Sequence, residues 1–147
     1  MGSTPLEFQA NVDAWVNEVP KRILEAFHES TQKTVSAIRQ NLRTVVHVQT
    51  GFLRASETAS TESMPPIIPG SHSVKGETYA FEGGTTALVI NSATLEQTIY
   101  IGWVASYGPY LEYGTTHIQP RGFVRLAAEQ WPAFVNETVQ ELKNRSA

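Results

Sequence analysis

The sequence predicts an α+β fold, with a long kinked helix at the N-terminus, an antiparallel sheet with a long inserted loop, and a C-terminal helix packed on that sheet. Three observations carry this. Apolar residues recur at three- and four-residue spacing from Phe8 to Val45 and again from Phe123 to Leu142. Between them, Thr86–Asn91 and Gln97–Val104 are dense in β-branched and aromatic residues. Helices gathered at the ends of an antiparallel region make an α+β chain. The 147 residues suit one domain over 1–147. Its helical part is 1–48, its β-region 49–104 with a mobile loop at about 60–77, and its last part, 105–147, a short helix, a turn and the final helix.

Thr4-Pro5 reads as a helix start, a capping hydroxyl followed by proline at the first helical position. Phe8, Val12, Trp15, Val16 and Val19 give the first apolar face. Pro20 lacks a backbone donor, so a kink or break is expected at Val19-Pro20. Ile23, Phe27, Val35, Ile38, Leu42 and Val45 continue the face, which thins at Ser30, Thr31 and Thr34 and so implies close or partly wet packing. Acidic Glu7, Asp13 and Glu18 come first and basic Lys33, Arg39 and Arg43 last, an order that complements the helix dipole. Gly51 ends the helical region.

Leu53–Ala59 is expected as a strand. Thr61–Gly76 holds Pro65, Pro66 and Pro69, which exclude a central strand. A loop of this length is usually functional or mobile. Its Ile67 and Ile68 have no evident core to join, which suggests contact with a neighbouring subunit. Thr78–Phe81 reads as a short strand, and Thr86–Asn91 and Gln97–Val104 as a hairpin joined by 91–96. Pro132 either bends the final helix or marks a new first turn.

Composition excludes several classes. Hydrophobic residues are 41% and charged residues 17%, a globular profile. The net charge is −3 and no segment is strongly basic, which argues against a dedicated duplex-DNA binder. There is no cysteine, so disulfide scaffolds and thiolate chemistry are out. No apolar run is long enough to span a membrane, and Met1–Pro5 does not open like a secretory signal.

The residues that could carry chemistry all have bland readings. Glu25, His28 and Glu29 share a helix face and could hold a metal, but a solvated face is the favoured reading. His47 is expected at a helix end and His72 in solvent. His117 near Glu112 and Thr115 lacks the nucleophile and pocket that an acid–base pair requires. There is no phosphate loop, dinucleotide turn, zinc motif or nucleophile elbow. No catalytic, cofactor or metal residue is therefore assigned. Tyr107, Tyr110 and Tyr113, three residues apart, are expected to share one face of a short helix and to serve the core, an interface, or both.

Three motifs in order carry a resemblance. They are Thr50, Gly51, Leu53, Arg54 and Ser56; then Tyr107, Tyr110, Glu112, Gly114 and Thr115; then Pro120, Phe123 and Ala127. Their spacing over 50–127, with a helix on either side, resembles the tail-completion, or head–tail joining (neck), proteins of long-tailed phages. The chain departs from that pattern at Gly108-Pro109, where one small residue is usual, at Leu126, where proline is frequent, and in the expanded loop.

The resemblance implies a non-enzymatic virion protein forming a ring, typically a hexamer, between head-closure proteins and the tail tube. It implies assembly in the bacterial host cytoplasm, no cofactor, no membrane contact and at most non-specific contact with DNA in the channel. Arg54, Glu112, Gly114, Thr115 and Phe123 are expected to form a structural clasp, with Glu112 accepting hydrogen bonds from Arg54 or from backbone amides. Ile67, Ile68, Tyr107, Tyr110 and Tyr113 are the interface candidates. The rival readings are another virion component, such as a head-closure or minor tail protein, and a small hydrolase using Glu112 and His117.

Overall fold

A computed structural model describes residues 5–44, 51–81 and 83–146. Met1, Thr4, Val45, His47 and Thr50, named above, lie outside the described residues. The elements are α1 (Pro5–Thr44), α2 (Phe52–Ala55), β1 (Glu57–Ser60), α3 (Gly84–Ser92), β2 (Tyr100–Trp103), α4 (Gly108–Tyr113), α5 (Phe123–Ala128) and α6 (Trp131–Ser146). The mixture of a long first helix, an antiparallel sheet and a C-terminal helix is the α+β arrangement expected from the sequence.

α1 is one helix of 40 residues that passes through Pro20 without a break. The reason is local. Residues 12–18 and 20–23 are exposed, so water can reach the Val16 carbonyl that proline leaves unpaired. Farther on, the same helix is the spine of the core. Ile38 and Leu42 join Leu53, Trp103, Ala105, Phe123 and Ala127 in one buried cluster, and Trp103 and Phe123 meet edge to face at 5.8 Å.

The sheet is smaller than the sequence suggests. It has two strands, with Glu57 opposite Trp103 and Ser60 opposite Tyr100. Three sequence expectations fail here. Leu53 does not begin a strand: residues 52–55 form a helical turn, closed by Ala55 N–H on the Gly51 carbonyl at 2.8 Å. Residues 78–81 are not a strand. Thr86–Asn91 is helical, so there is no hairpin over 91–96, and β2 pairs instead with the distant β1. Burial decides α3. A strand would place Thr86, Leu88 and Ile90 on one face. Thr86 and Ile90 are buried, whereas Leu88 is 72% exposed. The buried pair is four residues apart, the helical period, and α3 packs on both β1 and α1. Tertiary packing overrides the β-branched local preference.

The C-terminal region is two helices, not one. Pro132 stands in the first turn of α6, a position that needs no backbone donor. The C-terminal region meets the sheet through Phe123 of α5, and α5 and α6 lie chiefly along α1. Ser30 and Thr138 are fully buried and Thr31 nearly so, so the thinned face of α1 is closely packed. These small residues let α6 approach.

Charges fasten the outer side. Lys33 donates to Glu137 and Glu141, both at 3.1 Å, and Arg145 forks onto Glu29 at 2.9 and 3.0 Å. The hydrogen bond from Arg145 holds the Glu29 carboxyl below its ordinary pKa, against a smaller opposing effect of desolvation. A carboxylate with a depressed folded pKa stabilises the fold above its unfolded pKa and stops doing so as pH falls through the folded value. Arg145→Ala is therefore expected to lower the melting temperature at pH 7, and the gap to wild type is expected to narrow as pH drops below about 4. Thermal melts across that range check this, and a pH-independent gap would contradict it.

Candidate functional site

The motif-bearing residues do meet. α4 opens with Pro109 in its first turn and ends at Gly114, whose φ of 79° and ψ of 173° suit only glycine. The chain then turns tightly. Thr115 N–H donates to the Ile118 carbonyl at 2.8 Å, while the Thr115 hydroxyl oxygen accepts from the amides of His117 and Ile118, both at 3.1 Å. Arg121 N–H returns to the Leu111 carbonyl at 2.7 Å. Gly122, with a φ of 57°, leads into α5 but has no side chain to cap it.

Glu112 supplies the cap from across the turn. Its Oε2 accepts from Val124 N–H and its Oε1 from Arg125 N–H, each at 2.9 Å. Helix-start amides lack partners within the helix, and a carboxylate there also meets the positive end of the dipole. Glu112 thus ties α4 to α5 and sets Phe123, 2% exposed, into the core.

The expected Arg54–Glu112 pair does not form. Both Glu112 oxygens are taken by α5 amides, and the half-buried Arg54 Nε has no hydrogen-bond partner. Helical geometry over 52–55 gives the core position to Leu53 and turns Arg54 to a different side. The first motif reaches the clasp through Leu53 instead. A Cβ on Gly108 would touch Leu53 Cδ1 at 3.4 Å, and the Phe52 and Tyr107 rings lie 6.3 Å apart. Burial pushes the Tyr107 hydroxyl pKa up, opposed by a hydrogen bond with the Leu53 backbone.

The three tyrosines separate. Tyr107 precedes α4 and is half-buried, while Tyr110 and Tyr113 are 59% and 78% exposed. They do not share one face, because Leu111 takes the inward position on α4. Ile67 and Ile68 are also exposed, and their loop is tied to the far edge of β2. Ile68 N–H and the Ser71 hydroxyl both donate to the Val104 carbonyl, at 2.9 Å each, and Ser106 N–H and its hydroxyl donate to the Ser71 carbonyl at 3.1 and 2.6 Å. Between loop and clasp runs a groove of about 420 Å³ walled by Met64, Pro65, Ile67, Trp103, Tyr113 and Phe123. Two interface candidates, Ile67 and Tyr113, therefore border one apolar surface.

The other chemical candidates are drawn into packing. Arg145 holds Glu25 and Glu29, and the half-buried His28 ring nitrogen lies 2.7 Å from the Ala93 carbonyl. Arg39, Arg22 and Arg125 each face a carboxylate. Sequence reasoning missed the most buried ion pair among the described residues. Arg39 Nε and Nη2 donate to Glu57 at 3.0 and 2.7 Å, and the Thr86 hydroxyl adds a third bond at 2.7 Å. No motif spacing joins these residues. The sequence signal available was an acidic residue just where Leu53–Ala59 was expected to be extended.

Glu112→Ala is expected to cost about 1–2 kcal/mol, the range of a lost helix cap. Glu112→Gln should cost less, because its carbonyl oxygen still accepts one amide. Denaturant unfolding gives the magnitude, and hydrogen exchange at the Val124 and Arg125 amides gives the location. Unchanged exchange at those two amides would remove the capping role.

Among the described residues, no helix is long and apolar enough to cross a membrane, and no group of three or more His, Asp or Glu side chains is placed to hold a metal. Comparison with protein-family models, curated proteins and solved structures finds no match to the chain.

Proposed function

We propose that the chain is a non-enzymatic structural part of a tailed-phage virion. It forms a ring at the head–tail junction, terminating the tail tube and connecting it to the head-closure proteins. One observation supports this most: the described residues of the three signature segments, spread over 51–127, converge on a single clasp. Leu53 lies against Gly108, Glu112 caps α5, and Phe123 meets Trp103. A signature that folds into one unit is better grounds for a resemblance than three unconnected matches.

The mechanism is assembly. Ring closure needs a repeated heterologous contact, in which two different surfaces of one chain meet on neighbouring copies. The groove bordered by Ile67 and Tyr113, with exposed Ile68 and Tyr110 nearby, offers apolar and tyrosine-rich surface for one side of it. Contact with DNA passing through the ring would be non-specific and salt-dependent. The protein would assemble in the bacterial host cytoplasm and reside in the virion neck.

The test is location. Immunogold labelling of particles carrying a tagged copy is expected to mark the head–tail junction. Label on the tail tip or along the capsid would overturn the neck reading in favour of another virion component. The hydrolase alternative makes Glu112 an acid or base, yet both its oxygens accept backbone amides. Turnover abolished in Glu112→Gln with the fold intact would restore that alternative.

A further inference from the structure

The two-stranded sheet leaves main-chain groups unpaired. Val104 N–H donates to the Ser56 carbonyl at 3.2 Å, in register with Glu57 opposite Trp103. Bonded and non-bonded pairs alternate along an antiparallel ladder, so Thr58–Gly102 and Ser60–Tyr100 are the bonded pairs. Glu57, Ala59, Ile101 and Trp103 therefore turn their amides and carbonyls away from the partner strand. α3 packs on β1, whereas β2 borders the groove between loop and clasp, with Ile101, Gly102 and Trp103 in its wall. Among the described residues, no group bonds to the amide or carbonyl of Ile101 or Trp103.

The neighbouring loop does not fill that edge. Pro65 and Pro66 stand at the groove and carry no amide to donate. The loop's main-chain bonds fall past the strand, from Ile68 N–H to Val104 and from Ser106 N–H to Ser71. Chemistry then chooses the occupant. Glu112 is the one charged side chain lining the groove among the described residues, and both its oxygens accept α5 amides. A charged side chain entering the groove would find no counter-ion. A small apolar molecule would leave the donors and acceptors of Ile101 and Trp103 unmet. An extended peptide meets both demands, since its main chain pairs with the edge while alternate side chains enter the groove.

We infer that β2 takes a third strand here, an extended, uncharged, apolar segment of a partner chain that bonds to the main chain of Ile101 and Trp103. The inference rests on reading this groove as a contact surface and not on the neck location, so gold labelling and peptide binding fail separately. Two residues of open edge make an isolated peptide a weak ligand, because each hydrogen bond exchanged with water contributes little net.

The probe is a short capped peptide alternating valine and threonine, added at up to about 1 mM to the isotope-labelled full chain. In the free chain the Gly102 amide is expected to exchange slowly and the Ile101 amide fast. The peptide is expected to shift the amide resonances of Ile101 and Trp103 and to slow exchange at Ile101. N-methylation of the peptide amides that face the edge keeps its side chains, and is expected to weaken binding by at least about tenfold. Ile67→Asp, which sets a charge in the wall, is expected to weaken it by about the same factor. Its melting temperature should stay near wild type, since Ile67 is 46% exposed. An Ile101 amide already protected in the free chain, no response of the two amides to the peptide, or equal binding of the N-methylated peptide would each overturn the inference.

Discussion

Arg39→Ala is expected to destabilise the protein by about 3–5 kcal/mol, the range for breaking one side of a buried ion pair. The Glu57 side chain is 1% exposed and Arg39 25%. Removing the guanidinium deletes both bonds of the fork and leaves a buried carboxylate with the Thr86 hydroxyl alone. It also removes the stacking of Arg39 on the Phe81 ring, 4.5 Å from its centroid. Arg39→Lys keeps the charge but cannot form the fork, so it should lose an intermediate amount. Urea unfolding is the measurement. The double variant Arg39→Ala/Glu57→Ala should lose less than the sum of the single losses, because the stranded charge is gone. Strict additivity would mean that the pair is not coupled.

That network explains why parts of the fold could not be read from the sequence. The two long helical patterns were legible, since Ile38 and Leu42 on α1 and Phe123 and Ala127 on α5 are buried with the expected period. Within Gln97–Val104, the strand Tyr100–Trp103 was legible because Trp103 packs in the core. α3 was not. Thr86, Val89 and Ile90 favour a strand locally, and what fixes them as a helix is a hydroxyl reaching Glu57 on β1 and a face against α1. Contacts with residues about 30 positions away leave no local mark. At Pro20 the expected break is absent: the helix runs on, and exposure of the residues around it lets water serve the carbonyl that proline leaves unpaired.

The candidate site divides along the same line. Glu112, Gly114, Thr115 and Phe123 were found from their motif, and the bonds of the first three lie within 107–125, where spacing constrains geometry. Arg54 was paired with the wrong partner, because its side-chain direction depends on whether 52–55 is a strand or a helical turn. One residue of rotation error moves a side chain to another face. The groove at Met64 and Trp103 was invisible for a different reason, since its walls come from four segments that only tertiary folding brings together.

Gly114→Ala is the sharpest test of the clasp, with an expected cost of about 3 kcal/mol or more. Two effects add. A φ of 79° with a ψ of 173° lies where residues with a side chain are strained by about 1–3 kcal/mol. A Cβ there would also stand 2.8 Å from the Ile118 carbonyl oxygen, Pro120 N and Pro120 Cδ. Two of those atoms are backbone and the third belongs to a rigid ring, so none can swing aside. The turn would have to open, breaking the bond from Thr115 to Ile118 and drawing Glu112 off the start of α5. Gly70→Ala is the internal control. Gly70 also has a positive φ, 74°, but nothing lies within 4 Å of an added Cβ, so only the backbone penalty of about 1–2 kcal/mol applies. Denaturant unfolding of the two variants separates strain from collision. Equal losses would mean that the turn is not tight. A larger loss at Gly114, with trypsin cutting faster at Arg121 and Arg125, would place the damage in the clasp.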